Sequence, residues 1–165
     1  MSDSISIIEL ANGGLTIVDS DLHDWLSKWV WRQSDHGYAY CNEPKGPYKQ
    51  EKIYLHALIN GTPKGFKTDH VNRCKLDNRR SNLRTTTASG NNRNVGKKMR
   101  FGKSTSSKFK GVYRDKRGNK WVAGCNENGK TICLGRFDSE EEAASVYNAR
   151  ISKSHGDFAV LNTFN

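Results

Sequence analysis

The stretch that decides the fold of this chain is TDHVNRCKLDNRRSNLRTTTASGNNRN, residues 68–94. An acid and a histidine, Asp69 and His70, stand side by side near its start, within residues 67–71, which predict a short strand. Neighbouring residues of a strand point to opposite faces, so the two side chains suit different tasks. The carboxylate can hold a hard cation, and the imidazole can handle a proton.

The remainder of this stretch predicts a second strand and then a helix. Residues 83–84 can return beside the first strand after a polar loop, and Thr86 or Thr87 can cap a helix that carries Asn91 and Asn94. Hydrolysis of a phosphodiester needs a base for water and a cation that neutralises charge on the phosphate. An aspartate and an asparagine amide are oxygen ligands that suit Mg²⁺. Three nearby arginines can hold phosphates: Arg79, Arg80 and Arg84.

The charge of the chain indicates a polyanionic partner. Its 165 residues carry a formal net charge of +10, which most simply points to nucleic acid. Residues 93–121 contain eleven Lys and Arg against one acid, Asp115, so this segment carries as much net charge as the whole chain. One segment therefore has the composition of a phosphate-binding footprint.

Other features of composition exclude several classes of protein. No basic segment followed by an apolar stretch opens the chain, and no apolar run approaches the ~20 residues of a membrane span. The four cysteines stand singly, without the paired spacing of a structural zinc site, and scattered cysteines fit a reducing compartment. We therefore expect a soluble, intracellular protein with no membrane partner and no small-molecule substrate.

Changes in composition and hydrophobic periodicity along the chain predict four segments. Residues 1–52 form a strand and hairpin segment, 53–95 a catalytic unit, 96–107 a basic linker rich in Gly and Ser, and 108–165 a C-terminal domain.

Within the first two segments, the pattern predicts a strand at 15–18, a helix at 21–26, a hairpin within 29–40 and an apolar helix at 53–59. Three tryptophans are expected in the core rather than on a nucleic-acid platform: Trp25, Trp29 and Trp31.

The last segment predicts three antiparallel strands covered by one helix. The candidate strands, separated by hairpin turns, are residues 110–114, 121–126 and 130–134. Ser139 and Glu142 form a capping box at the start of the helix. Its apolar residues Ala143, Tyr147 and Ile151 recur every four positions and make one face that the sheet can cover.

The central stretch resembles the HNH endonucleases, of the kind found in phage and intron-encoded homing enzymes. The matching positions are 69–72, 77–80, 82–84 and 91–94, with 54–59 and 63–65 upstream. The resemblance implies a ββα-metal unit that clamps one metal ion. It implies that His70 is the general base and Asp69 a metal ligand. It further implies that Asn82 braces the site and orients the histidine, and that Asn91 is the second metal ligand.

One departure from the family bears on the metal. Asn91 stands where many members have a second histidine, which favours Mg²⁺ or Mn²⁺ over zinc. Asn94 lies one turn further along the helix and remains the alternative to Asn91. His56, upstream, is read as structural or phosphate-contacting rather than directly catalytic.

The C-terminal segment is similar to the DNA-binding domain of plant ethylene-response factors, also found beside HNH units in phage proteins. The matching positions are 109–113, 120–123, 134–138, 141–144, 147–148 and 158–162. The resemblance implies that one sheet face enters the major groove. The residues that would face DNA are Tyr113, Arg114, Lys116, Arg117, Asn126 and Thr131. Several Arg and Trp readers of the plant pattern are missing, so the resemblance implies docking on DNA without a particular sequence.

Together these features predict an α+β fold that joins the ββα-metal unit to a small three-stranded antiparallel sheet packed on one helix. The function expected is a site-selective, metal-dependent DNA endonuclease, a monomeric homing enzyme that nicks double-stranded DNA, in the bacterial cytoplasm if phage-encoded. The alternative is a non-catalytic DNA-binding regulator on a degenerate HNH fold. A third reading, an RNA-binding protein, has the charge but lacks the aromatic strand pattern of an RNA module.

The basic linker generates a first prediction. Replacing Lys97, Lys98 and Arg100 with alanine should weaken binding to all DNA alike and flatten its salt dependence, because these side chains would contact phosphates rather than bases. Binding isotherms at several salt concentrations check this on unrelated duplexes. A loss confined to one DNA sequence would refute a role in phosphate contact.

Overall fold

A computed structural model of the chain describes five stretches: residues 4–45, 50–96, 106–116, 118–127 and 129–164. The chain divides into two compact units, Met1–Asn91 and Asn92–Asn165. Four residues predicted to contact DNA lie outside the described residues: Lys97, Lys98, Arg100 and Arg117. Secondary structure is mixed, with helices and small antiparallel sheets, as the expected α+β class requires.

The first unit opens with two small sheets. Strands β1 (Ile5–Glu9) and β2 (Leu15–Asp19) pair in one, and β3 (Arg32–Gln33), β4 (Ala39–Pro44) and β5 (Gln50–Tyr54) form the other in that order. The predicted strand at 15–18 is confirmed, and the predicted hairpin is present, with its first strand at Arg32–Gln33 rather than at residues 29–31. β1 and β5 were not predicted.

Short helices connect these sheets to the central hairpin. A 3₁₀ turn at Ser20–Leu22 continues into α1 (His23–Leu26), and α2 (Leu55–Asn60) follows β5. The remaining elements of this unit are β6 (Lys67–His70), β7 (Leu83–Thr86) and α3 (Ala88–Arg93). β6 and β7 are antiparallel, so the strand pair and the helix predicted from residues 68–94 are confirmed.

The prediction of a helix over residues 53–59 is wrong at its start. Ile53 pairs with Cys41 and Tyr54 with Tyr40 across the second sheet, and α2 begins only at Leu55. A short apolar run is compatible with a strand or a helix. Here Ile53 and Tyr54 are in a strand because they pair with β4.

Of the three tryptophans expected in the core of the first unit, one is completely buried. Trp31 is 1% exposed and donates its Nε1–H to the carbonyl of Leu26 over 2.8 Å. Trp29 packs at the edge of this core. Trp25 is 39% exposed, so the prediction that it belongs to the core is wrong.

The second unit is a sheet covered by one helix, as predicted. β8 (Val112–Arg114), β9 (Trp121–Glu127) and β10 (Lys130–Phe137) pair in the order β10-β9-β8, and α4 spans Glu140–His155. The expected cap is present, because the hydroxyl of Ser139 accepts a 3.0 Å bond from a backbone N–H. The buried core residues include the predicted helix face: Phe109, Val112, Ala123, Cys125, Ala143, Ala144, Tyr147 and Ile151.

The four cysteines are free thiols. Cys41 and Cys125 are buried, and burial raises the pKa of both thiols, so each behaves as a small apolar side chain. Cys74 and Cys133 are exposed. Among the helices of the described stretches, none has the length and apolar character that crossing a membrane demands.

Gly111 shapes the entry into the second unit. Its φ is 75°, in the left-handed region that favours glycine. A Cβ at this position would lie 2.1 Å from ring carbons of Tyr147 and 2.9 Å from the carbonyl oxygen of Gly124. The glycine therefore lets the chain pass directly against the central strand and the buried tyrosine of the helix.

We expect Gly111→Ala to destabilise the second unit by about 2–4 kcal/mol, the sum of a strained φ and a core clash. Gly118→Ala is the matched control, since nothing lies within 4 Å of a Cβ there and that change should cost less than about 1 kcal/mol. Native-state hydrogen exchange of the β9 amides measures both. Equal protection in the two variants would contradict the role assigned to Gly111.

Candidate active site

The acid and the histidine of the motif lie on β6, and pairing with β7 sets their directions. Asp69 pairs with Arg84 and His70 with Leu83, so the two side chains leave opposite faces of the hairpin. Both residues are almost completely buried, with 5% of Asp69 and 4% of His70 exposed. A buried charge or imidazole needs compensating partners, and each of these side chains has them.

Asp69 is held by an arginine from the opposite strand. The Nε and Nη2 atoms of Arg84 donate to Oδ2 of Asp69 over 2.8 and 2.7 Å. The two side chains are 18% and 6% exposed, respectively, so solvent screens the pair weakly. In this structure Arg84, which was predicted as a phosphate contact, neutralises the carboxylate of Asp69.

The ring of His70 is oriented by the amide of Asn78. Oδ1 of Asn78 lies 3.2 Å from Nε2 of His70. The hydroxyl of Thr16 donates its proton to the carbonyl of Leu76, so towards Asn78 it can only accept. The Nδ2 of Asn78 donates to it over 2.8 Å, which fixes the orientation of the amide. A carbonyl oxygen can only accept, so Nε2 carries the proton. The neutral ring then has its lone pair on Nδ1.

The environment keeps this imidazole neutral near pH 7. Burial is the largest influence and lowers the pKa of His70 below its ordinary value of 6.5. The bond to Asn78 and the charges of Asp69 and Asp77 act in the opposite direction without reversing the shift. The imidazole of His70 is thus uncharged at physiological pH.

The loop between β6 and β7 is braced by asparagines. Nδ2 of Asn82 donates to the carbonyl of Asp77 over 2.7 Å, and Oδ1 of Asn82 accepts from the backbone of Asn72 over 2.9 Å. The side chain of Asn72 in turn donates to the carboxylate of Asp77 over 2.8 Å. Asn82 thus shapes the loop that presents Asn78 to His70.

The other two motif arginines are also paired with acids. Arg79 donates to both carboxylate oxygens of Asp77 over 2.8 and 2.7 Å, and these bonds are the main reason that the pKa of Asp77 is lowered. Arg80 donates through its backbone to Asp19 and through its guanidinium to Asp21. Both guanidinium groups keep exposed surface, 36% and 50% of their side chains. Their predicted contact with phosphate stays a prediction.

The N-terminal sheet supports the motif directly. The N–H of Ile17 on β2 donates to the carbonyl of Leu76 over 2.8 Å, and the carbonyl of Ile17 accepts from the N–H of Asn78 over 2.8 Å. A parallel bridge joins Ile17 to Asp77. Together with the Thr16 hydroxyl, β2 therefore fixes the amide that orients the histidine.

A second histidine touches the first. The ring centroid of His56 on α2 lies 5.2 Å from that of His70, edge to face. Tyr38 and Tyr54 surround His56 with centroids 5.0 and 5.5 Å away. Burial and the charge of His70 lower the pKa of His56 to about 4, so it is neutral at pH 7. Its Nδ1 is buried and finds no hydrogen-bond partner among the described residues.

A half-open cavity of about 400 Å³ lies beside these rings. Tyr38, Tyr54 and His56 line it, together with Asn91 and Thr68, the residue before Asp69 on β6. The structure therefore brings Asn91 to the same cavity as His56. α3, which carries Asn91, is capped as predicted by Thr87, whose hydroxyl accepts a 3.1 Å bond from a backbone N–H.

The donor set limits the kind of metal that could bind. Among the described residues, no three His, Cys, Asp or Glu side chains form a metal-binding group. With Asp69 as one ligand and Asn91 or Asn94 as the second, the shell of a metal would be completed by water or phosphate oxygens. Such an oxygen-only set fits Mg²⁺ or Mn²⁺ rather than zinc. Asn94, the alternative ligand, is 7% exposed.

One face of the sheet in the second unit is open to solvent. The described residues predicted to face DNA are all exposed: Tyr113, Arg114, Lys116, Asn126 and Thr131. Gly124 lies under Tyr113, since a Cβ there would be 3.6 Å from the tyrosine ring. The guanidinium of Arg114 lies 4.8 Å from the ring centroid of Trp121. Because neighbouring residues of a strand point to opposite faces, the open face presents Tyr113, Asn126 and Thr131, and Arg114 stacks on Trp121 at the edge of the face that the helix covers.

Sequence reasoning missed several residues of the site. Asp77 and Asn78 stand inside the matched positions, yet only the structure shows that one holds the loop and the other orients His70. Thr16 belongs to a different segment and carried no signal. The alternation in residues 38–40 predicted a strand, which gave no hint that Tyr38 packs on His56.

Comparison with known proteins gives two results for this arrangement. The chain is 30% identical over 157 residues, 95% of its length and 79% of the relative, to a protein of Acanthamoeba polyphaga mimivirus named as an uncharacterized HNH endonuclease. It is 42% identical over 60 residues to an AP2/ERF and B3 domain-containing transcription repressor of Arabidopsis thaliana, spanning 36% of this chain and 16% of the repressor. No family model matches. Because the first match runs along almost the whole chain, the protein belongs to the HNH endonuclease family.

Proposed function

We propose that this protein is a metal-dependent DNA endonuclease in which His70 is the general base and Asp69 and Asn91 hold the metal. The orientation of His70 is the observation that carries the proposal. A buried neutral imidazole, with its proton placed on Nε2 by Asn78, has its lone pair on Nδ1. That is the state a base needs in order to take a proton from water at neutral pH.

The reaction follows from these groups. Nδ1 of His70 accepts a proton from a water whose oxygen bonds to phosphorus, while the bond between phosphorus and the leaving oxygen breaks. Bound Mg²⁺ or Mn²⁺ would supply neutralisation of the charge that develops on the phosphate and the leaving oxygen. The loop held by Asn82 keeps the base in place as the reaction proceeds.

Binding and specificity are assigned to other parts of the chain. The net charge of +10 supports a double-stranded DNA substrate, and the exposed face with Tyr113, Asn126 and Thr131 would dock on it, with Arg114 at its edge. The partial similarity to a plant transcription repressor supports the same use of this unit. One centre per chain favours a monomer that nicks one strand at a selected site, as a homing endonuclease would.

Cutting of supercoiled plasmid in Mg²⁺ tests the base. His70→Ala should lower the nicking rate about 10²–10⁴-fold, the usual contribution of a general base. His23→Ala, a change at a side chain that is 41% exposed, should cut as wild type does. Addition of EDTA should stop nicking by both the wild type and His23→Ala.

Two results would contradict the proposal. A wild-type protein that shifts the plasmid on a gel but leaves it supercoiled in Mg²⁺ would be a DNA-binding regulator rather than a nuclease. Nicking by His70→Ala at the wild-type rate would remove His70 from the role of base.

The pH dependence of nicking tests the contact with Asn78. Because the base must be neutral, the rate falls as pH drops through the pKa of His70. Burial places that pKa below 6.5, so wild type should be insensitive to pH from about 6.5 to 8. Asn78→Asp would put a carboxylate on the ring, raise the pKa and move the acid limb upward by about one unit or more.

Asn42→Asp, on the exposed side of β4, is the matched control for charge. Its pH–rate profile should coincide with that of wild type. If Asn78→Asp also keeps the wild-type profile, Asn78 does not contact the catalytic ring.

A further inference from the structure

The cavity beside the catalytic histidine has walls suited to one nucleotide. Tyr38, Tyr54 and His56 form a contiguous aromatic surface, with ring centroids 5.0 to 6.2 Å apart. Phe66, at the rim, is 48% exposed. Aromatic rings of this kind provide faces on which a nucleobase stacks regardless of its sequence.

The polar groups of the cavity match the rest of a nucleotide. Lys64 and Lys67 line it and are exposed, which suits a phosphate. None of the described lining residues is acidic. The buried Nδ1 of His56, without a partner among the described residues, is left for the edge of a base or a sugar hydroxyl.

Size and place restrict what can enter. A volume of about 400 Å³ is near the lower end of the range for small-ligand sites, so it holds one nucleotide and excludes a base pair. A base offers its face to an aromatic wall only after it leaves the helical stack. Because His56 touches His70, a nucleotide here would adjoin the phosphate attacked by the water that His70 deprotonates.

We propose that this cavity binds a single unpaired nucleotide of a DNA strand, next to the phosphate that is cut. The proposal rests on the nuclease function argued above and adds a substrate class to it: duplex DNA with a nucleotide extruded from the stack. A bulged or mismatched nucleotide costs less to extrude than a paired one. Such DNA should therefore be preferred.

Binding in EDTA tests this site without cutting. The probes are two fluorescent duplexes of the same sequence, one fully paired and one with a single bulged 5-iodouracil. The full chain should bind the bulged duplex about 5- to 100-fold more tightly, the range expected when one base stacks on aromatic side chains. On irradiation, the iodouracil should cross-link to peptides that contain Tyr38, Tyr54 or Phe66.

Exposed residues provide variants that should not disturb folding. Phe66→Ala should reduce the preference for the bulged duplex at least about threefold. Val71→Ala is the matched control, because Val71 is 46% exposed, lies just beyond β6 and does not line the cavity. It should keep the wild-type preference. His56→Phe keeps an aromatic ring but removes Nδ1, and it should weaken the preference while cross-linking persists.

The outcomes separate this site from the proposed function. Equal affinity for the two duplexes, or cross-links confined to the second unit, would overturn the nucleotide site even if plasmid is nicked. Conversely, a bulge preference that Phe66→Ala removes would support the site even if the protein never cuts DNA in Mg²⁺.

Discussion

The amide of Asn78 is the contact on which the arrangement of the candidate site depends. The side-chain amide contacts two strands of the first unit: the ring of His70 on β6 and the hydroxyl of Thr16 on β2. The backbone N–H of Asn78 donates to the carbonyl of Ile17, also on β2. The residue is completely buried, and a buried amide that lost one of these bonds would cost about 1–3 kcal/mol. Because flipping the Asn78 amide would break these bonds, the amide keeps one orientation, and its Oδ1 keeps the proton of the His70 ring on Nε2.

The electrostatic design of the first unit pairs each buried acid and leaves the imidazoles neutral. Asp69 is neutralised by Arg84 and Asp77 by Arg79, and burial lowers the pKa of both His70 and His56. A metal ion at Asp69, if the proposed site is correct, would meet a carboxylate already bound by a guanidinium. Binding there would be a competition between two cations, so the affinity for the metal would include the cost of displacing or sharing Arg84.

The local part of this site could be predicted, and the long-range part could not. The local pattern predicts β6, β7, a helix cap at Thr86 or Thr87 and the pair Asp69-His70, because each of these depends only on residues close together in the chain. The acids that bind Arg80 and the Thr16 hydroxyl that holds Asn78 lie 59 to 62 positions away in the chain, and no local pattern encodes such contacts. The strand at Ile53 shows the same limit, since pairing with β4, rather than the apolar run itself, decided its conformation.

The bond between Thr16 and Asn78 spans 62 positions of the chain. The motif of residues 68–94 is consequently not self-contained. A strand–loop–strand–helix segment grafted onto another scaffold would bring its acid, its histidine and its loop asparagines, but not the Thr16 hydroxyl that selects the orientation of the Asn78 amide. Closing a loop of this length is also slow compared with forming the hairpin itself. During synthesis, residues 68–94 would therefore be present, and their hairpin formed, before the contact with Thr16 fixes the tautomer of His70.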